Sequence, residues 1–321
     1  MNIEKCKKML GLYIHIPFCK KKCDYCDFIS FANRNNMIEK YINAVKCEIN
    51  SYSNYKEEYE IKTIYFGGGT PSYIESKYIV DILNNIKNKF TVLKNAEITI
   101  EINPGTVDRK KLEDYIGSGI NRVSFGLQSV DDKLLKNIGR IHNFEDFLYS
   151  YNLAKEVGFK NINVDLMIGL PTQNIQDIEK SLNKLIELSP EHISVYSLIL
   201  EEGTPLEIKV KNKELYIPSD VQERNMYWKV KEELEKNGYI HYEISNFSKI
   251  GYESKHNVSC WKQEEYIGIG VAAHSYINNK RYSNTDNLEE YIKNSEDNIN
   301  EIREIHEVKN KKDKMNEYMI L

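Results

Sequence analysis

Three thiols crowd into eight residues of this chain: Cys19, Cys23 and Cys26, in the run GLYIHIPFCKKKCDYCDF. A C-x3-C-x2-C spacing on a short loop directly after a strand-like segment suggests a metal site. Structural zinc is almost always four-coordinate, so three thiolates fall one ligand short of it. A four-iron cluster is normally held by four cysteines. Three would leave one iron open to another molecule, which points to chemistry rather than scaffolding. Two alternatives stay open on spacing alone: a zinc knuckle completed by His15 or Asp24, and reduced cysteines in a core. The remaining cysteines, Cys6, Cys47 and Cys260, are isolated. Cys6 and Cys47 have no metal-ligand neighbour at suitable spacing, so neither is expected to carry a cofactor. Such cysteine usage is no disulfide framework and leads us to expect a reducing cytoplasm.

The elements that must position the loop are short β-branched runs alternating with helical patterns. The runs are Leu12 to Ile16, Thr63 to Phe66, Glu97 to Ile102, Arg122 to Leu127, Asn161 to Ile168 and Ile193 to Leu198. Apolar residues at three and four residue spacing mark helices over Ile38 to Asn50, Lys77 to Phe90, Val107 to Ile116, Phe144 to Val157 and Ile175 to Leu188. Gly117 and Gly158 stand where helices should stop. Six βα units imply a parallel α/β sheet, either a partial barrel or a doubly wound open sheet. Both place chemistry at the C-terminal ends of their strands.

Each strand end carries a distinctive group. The second ends in Gly67, Gly68, Gly69, Thr70 and Pro71, which lets a ligand lie against backbone, although a glycine run can be just a turn. The third ends in Glu101 before Asn103, Pro104 and Gly105, a carboxylate suited to a ribose hydroxyl. The fourth carries Arg122, Ser124, Gly126 and Gln128, polar groups where a buried strand should be apolar. The fifth carries Asn163 and Asp165; an inward carboxylate needs a partner, and Arg140, Arg122 or a ligand could supply it. The sixth supplies Ser194, Tyr196 and Ser197.

Composition excludes some roles. With 321 residues and 41% hydrophobic content the chain can bury a large core. A net charge of -4, from 44 basic and 48 acidic residues, gives no global attraction to nucleic acid or anionic lipid. No apolar run of about 18 residues suits a membrane span, and no signal peptide is expected from the first residues.

Taken together, the C-x3-C-x2-C loop, GGGTP, the Glu-x-Asn-Pro turn, Gly119-x-x-Arg122-x-Ser124-x-Gly126-x-Gln128 and Asn163-x-Asp165-Leu166 to Gly169-Leu170-Pro171 resemble the radical S-adenosylmethionine superfamily. More narrowly, they are similar to its oxygen-independent coproporphyrinogen oxidase branch. The resemblance implies a partial (β/α)6 TIM-like barrel over residues 1–205 with a small C-terminal α+β extension. It also implies a [4Fe-4S] cluster on Cys19, Cys23 and Cys26. S-adenosylmethionine would chelate the fourth iron, surrounded by Tyr13, Tyr25, Gly68, Gly69, Thr70, Glu101, Gln128, Arg140 and Asp165. Within that set the resemblance assigns the adenine to Tyr25, the amino group to backbone at Gly68 and Gly69, and the methionine carboxylate to Arg140. The superfamily uses one electron from the cluster to cleave the sulfonium C–S bond.

Two departures narrow the branch. The oxidases carry a fourth cysteine where this chain has Phe28, and a longer stretch before the first cluster ligand than the 18 residues here. The segment His256 to Trp261, followed by Tyr266-Ile267-Gly268-Ile269-Gly270 and Ala273-His274, instead resembles the His-Asn-x-x-Tyr-Trp motif of HemW-type haem chaperones. Its tyrosine is Cys260 here. Histidine and cysteine are both haem-iron ligands, so His256 is the first candidate for haem and Cys260 the second. His274 and His241 have weaker claims. The expected partners are haem as cargo, a haem-acceptor protein and an electron donor, with no nucleic acid. A homodimer is compatible with this reading, as is peripheral membrane contact through an acceptor. A porphyrinogen oxidase and a non-radical metal-binding protein are the competing expectations.

After Leu200 the rhythm weakens. Ser219 and Asp220 cap a helix expected to run to Lys236, with Trp228, Val230 and Leu234 on one face. Tyr242 to Phe247 and Tyr266 to Ile269 read as strands, giving a covering region over residues 206–300. From about Glu289 the charged run reads as a solvated helix or linker. The resemblance implies a helical C-terminal domain that begins over residues 301–321, so that domain is expected to be truncated.

Overall fold

The computed structural model describes residues 7–297, 299–309 and 313. Strand β1 (Lys8–Ile16) shows why this chain builds a parallel sheet: Leu10, Leu12, Ile14 and Ile16 are fully buried, and the sheet is covered on both faces. Five more strands follow in chain order: β2 (Tyr59–Gly68), β3 (Thr91–Ile102), β4 (Arg122–Gln128), β5 (Ile162–Ile168) and β6 (His192–Ser197). Each pairs in parallel with the one before it. Helices α1 (Ile38–Ser51), α2 (Ser76–Lys89), α3 (Arg109–Ser118), α4 (Asp132–Asn137), α5 (Phe144–Val157) and α6 (Ile175–Leu188) form the crossovers.

The loops between sheet and helices are pinned by local chemistry. Asn143 and Asn174 close capping boxes at the starts of α5 and α6. Gly158 ends α5 with φ +112°, as expected, whereas α3 runs through Gly117 and stops at Gly119, whose φ is +100°.

Beyond α7 (Pro205–Lys211) and α8 (Asp220–Lys236), β7 (Ile240–Glu243) and β8 (Asn246–Ser248) form a hairpin, so the strand expected over Tyr242 to Phe247 is broken in two. On α8 the buried face is Met226, Val230 and Leu234; Trp228 is exposed, because the four-residue rhythm places position 226 and not 228 toward the sheet. Helix α9 (Lys255–Trp261) precedes β9 (Tyr266–Ile269), β10 (His274–Ile277) and β11 (Lys280–Asn284). Helix α10 (Leu288–Asp297) and β12 (Arg303–Val308) occupy the run read as solvated; β12 finds an edge partner in β11.

One twelve-stranded sheet results, in the order β12-β11-β10-β9-β1-β2-β3-β4-β5-β6-β8-β7. Strand β9 takes the outer edge of β1 and β8 that of β6, so β1 does not pair with β6. This is the α/β fold with a central parallel sheet that the six βα units imply. The covering region shares its sheet with residues 1–205. Glu48 of α1 fastens the two: its buried carboxylate accepts from Gly270 N (2.9 Å), Asn284 Nδ2 (2.9 Å) and Tyr291 OH (2.6 Å). No helix among the described residues is long and apolar enough to cross a membrane.

Candidate functional site

The three cysteines leave the C-terminal end of β1. Phe18 and Cys19 pair in parallel with Phe31 and Ala32, which clamps the base of the loop. Farther along, Asp24 receives Lys209 Nζ at 2.6 Å, its amide donates to Ile138 O and its carbonyl accepts from Leu206 N. Asp24 is therefore committed. So is His15, whose Nδ1 meets Tyr13 OH (3.1 Å) and whose Nε2 meets Ile29 O (2.8 Å). Neither is free to complete a zinc knuckle.

A hydrogen-bonded bridge runs beneath the loop. Cys19 Sγ lies 3.4 Å from Thr70 Oγ1, which accepts from Asn103 Nδ2 at 3.0 Å. Asn103 Oδ1 accepts from Arg140 Nη1 at 2.9 Å, and the same nitrogen donates to Cys23 Sγ at 3.7 Å. Arg140 Nη2 donates to Gly126 O. Burial pushes the thiols of Cys19 and Cys26 up. Among the described residues no three His, Cys, Asp or Glu side chains converge in metal-binding geometry; three thiolates repel one another unless a cation offsets their charge.

The glycine run is shaped by its neighbours. Gly68 has φ +109°, and a Cβ there would lie 2.6 Å from the His15 ring. A Cβ on Gly69 would lie 2.9 Å from Pro17 and 3.0 Å from Cys19 Sγ. Gly68 N donates to Glu101 Oε2 (3.2 Å), and Tyr65 OH to Glu101 Oε1 (2.9 Å). Burial first, and Asp165 second, push Glu101 up to about 7.

Asp165 takes neither expected guanidinium as a direct partner. It accepts from Asn163 Nδ2 at 2.7 Å and from Ser124 Oγ at 3.5 Å, and among the described residues it makes no ion pair. Asn163 Oδ1 in turn meets His192 Nδ1 (2.5 Å) and Ser194 Oγ (3.1 Å), and His192 Nε2 meets Tyr242 OH (2.7 Å). Tyr25 packs against Leu134, Ile138, Met167, Leu170 and Leu206.

Among the described residues, the buried polar atoms without a hydrogen-bond partner include Gln128 Oε1 and Arg140 Nε at this end, and Gln128 has φ +70°, rare for a residue with a Cβ. Unpaired buried polar groups and strained backbone concentrate at ligand sites. The arrangement of three thiols on one loop, a glycine cradle and unpaired polar groups fits a metal cluster with a polar organic ligand. The structure thus gathers Tyr13, Gly68, Gly69, Thr70, Glu101, Gln128, Arg140 and Asp165 at one end of the sheet. It adds Asn103 and Tyr65, to which sequence reasoning gave no role, and His15, which it weighed only as a zinc ligand.

Residues 13–185 match the model of the radical SAM superfamily. The chain belongs to that superfamily. Within it, the chain is 39% identical over 287 residues to the Bacillus subtilis protein named heme chaperone HemW, covering 88% of this chain and 75% of that protein. The Lactococcus lactis protein of the same name is 37% identical over 317 residues, covering 98% and 81%. The chain is a member of this HemW family. Coproporphyrinogen III oxidase HemN from Escherichia coli shares the fold, with a TM-score of 0.85 and 23% identity, covering 99% of this chain and 76% of that one. Radical SAM membership implies an iron–sulfur cluster and S-adenosylmethionine as cofactors.

His256 and Cys260 lie on α9, outside the residues gathered at the cluster end, although the His256 ring packs on Tyr65, whose hydroxyl donates to Glu101. His256 Nδ1 meets Thr63 Oγ1 at 2.9 Å, five residues before Gly68 on β2, or about 16 Å at the rise of a strand. Its ring stacks on Tyr65 at 5.2 Å, and burial lowers its pKa to about 4. Cys260 is exposed at the end of α9, and its thiol is pushed up to about 11. Cys47 is half-buried on α1, and Cys6 lies outside the described residues.

Proposed function

We propose that this radical SAM protein binds haem and passes it to acceptor haemoproteins, a reading in line with the name heme chaperone that its relatives carry. The extent of the likeness carries the reading: 37% identity runs over 98% of the chain, past the barrel and through α9 to β12. Phe28 supports it, being an exposed hydrocarbon side chain where the oxidases place a cysteine.

Cys19, Cys23 and Cys26 hold a [4Fe-4S] cluster, and S-adenosylmethionine binds its open iron. The cluster supplies, when bound, one-electron cleavage of the sulfonium. The chain's own groups orient the ligand. Gly68 and Gly69 bring backbone to its amino group, Arg140 faces its carboxylate, and Thr70, Gln128, Glu101 and Asp165 take ammonium and hydroxyl groups. Tyr13 and Tyr25 flank it. Asn103 holds Arg140 in place. An electron donor and a haem acceptor are the protein partners. Residues 1–205 form the radical SAM part and 206–300 the covering part with the haem motif, while β12 occupies most of the described part of 301–321. The cytoplasm suits the thiols and their cluster.

His256 is neutral, the form in which imidazole ligates iron, but one of its nitrogens is committed to Thr63. Cys260 keeps its proton and is the weaker ligand. The test is a haem titration of the anaerobically loaded protein, followed by transfer to an apo-haemoprotein. One-to-one binding and transfer are expected. Absence of haem binding, or conversion of coproporphyrinogen III to protoporphyrinogen IX, contradicts the proposal.

A further inference from the structure

Strands β4, β5 and β6 run side by side in the middle of the sheet, where buried strands are ordinarily apolar. Here Ser124, Asn163 and His192 stand opposite one another across the three strands, and Ser194 stands opposite Asp165. Ser124, Asn163, His192 and Ser194 are all buried. Buried polar groups cost stability unless each is hydrogen-bonded. In this cluster the bonds also leave each group a single orientation.

The direction of the chain is set from the covering region. Tyr242 OH accepts from the backbone amide of Ser254, the residue that caps α9, at 3.1 Å. Its one proton is then directed to His192 Nε2, 2.7 Å away. Burial first, and the charge of Arg122 second, hold the His192 imidazole well below its ordinary range, so the ring is neutral and carries one N–H. With Nε2 accepting, that N–H is on Nδ1 and donates to Asn163 Oδ1 at 2.5 Å. Ser194 Oγ donates to the same oxygen at 3.1 Å. The amide is thereby turned so that Nδ2 donates to Ser124 Oγ and to Asp165 Oδ1, both at 2.7 Å. Ser124 Oγ passes its own proton to Asp165 Oδ1 at 3.5 Å. A primary amide has two donors and two acceptor sites, and all four are used. The reverse orientation would set the amide oxygen against the carboxylate and the NH2 group against the Nδ1–H of His192.

We propose that His192 and Asn163 are positioning residues for S-adenosylmethionine: they saturate Asp165 Oδ1 and aim the carboxylate so that Oδ2 accepts from a ligand hydroxyl. This role rests on the reading that Asp165 contacts S-adenosylmethionine, and it adds how a buried carboxylate that makes no ion pair among the described residues is held for that contact. Neutral donors leave the carboxylate its charge, which a forked guanidinium pair would have engaged on both oxygens. The hairpin of β7 and β8 thus contributes to the cofactor end through Tyr242, without touching the ligand.

Equilibrium dialysis of S-adenosylmethionine against the cluster-loaded chain tests the role, with iron content and thermal unfolding recorded in parallel. His192→Leu releases the amide and is expected to weaken binding about tenfold, the size of one lost hydrogen bond to a charged group. His192→Asn, whose amide nitrogen can stand where Nδ1 stands, is expected to restore most of that affinity. In the Asp165→Asn background the effect of His192→Leu is expected to vanish, since residues that act through one group do not add. Tyr242→Phe removes a single hydroxyl and leaves the tautomer unfixed; should His192→Leu fold poorly, it carries the same test with a smaller loss in the same direction. Wild-type affinity in a folded His192→Leu protein overturns the proposal, as does wild-type affinity in Tyr242→Phe where His192→Leu does not fold. An undiminished loss in the Asp165→Asn background, or no gain from His192→Leu to His192→Asn, also overturns it. If Asp165→Asn alone binds as wild type, the reading beneath the proposal fails with it; if Asp165→Asn weakens binding and the His192 variants do not, the proposal alone fails.

Discussion

Arg140 Nη1 donates to Asn103 Oδ1 at 2.9 Å, and this contact joins the thiols of Cys19 and Cys23 through Thr70. It places a cation beside the cysteine loop without spending its charge on a carboxylate. Removing the amide leaves Arg140 and Thr70 each short of a partner. Asn103→Ala is expected to lower S-adenosylmethionine affinity about tenfold, from the roughly 1–3 kcal/mol that hydrogen bonds to charged groups contribute. Equilibrium dialysis checks this, with iron content measured in parallel. An Asn103→Asp protein, whose carboxylate would pair with the guanidinium, is expected to retain the loop but bind the methionine carboxylate more weakly.

Gly68 has φ +109° and no room for a methyl group against the His15 ring. Gly68→Ala is expected to cost on the order of 2 kcal/mol or more, since both a forced left-handed conformation and a clash are introduced. Thermal unfolding measures it. His15→Ala in the same chain removes the clash but not the backbone strain, so it is expected to recover part of the loss.

Glu101 is the group whose protonation should be visible in stability. Its pKa of about 7 in the folded state lies above the ordinary glutamate value of 4.5. The folded state therefore holds a proton that the unfolded state has released between those values, so stability of the cofactor-free protein falls as pH rises from about 4.5 to about 7. The loss is on the order of 3 kcal/mol. Glu101→Gln is expected to flatten this part of the profile in urea titrations at several pH values.

Glu48 is a purely structural counterpart. Glu48→Ala strands Gly270 N, Asn284 Nδ2 and Tyr291 OH in the interior. The expected destabilisation is on the order of 3–5 kcal/mol, read by denaturant unfolding, with little direct effect on the cluster end.

Much of this was legible in the sequence because the parallel strands are apolar on both faces and their ends break that rule. Phe144–Val157 and Ile175–Leu188 matched their predicted helices because caps and periodicity agree there. Asn103 was read only as part of a turn; its partner Arg140 is 37 residues away and the fold alone brings them together. For Asp165 the sequence offers Arg140, Arg122 or a ligand as partner, yet Asn163 and Ser124, on its own and the neighbouring strand, supply neutral donors. Strand β12 was hidden because an edge strand can be highly charged when only one side is paired.

The central claim is that Cys19, Cys23 and Cys26 hold a four-iron cluster whose remaining iron takes S-adenosylmethionine. Anaerobic reconstitution followed by electron paramagnetic resonance of the reduced protein tests it most directly. The account predicts about four irons per chain, a cluster signal that shifts when S-adenosylmethionine is added, and loss of that signal in Cys23→Ala. One zinc per chain with no iron, or a cluster signal indifferent to S-adenosylmethionine, would contradict it.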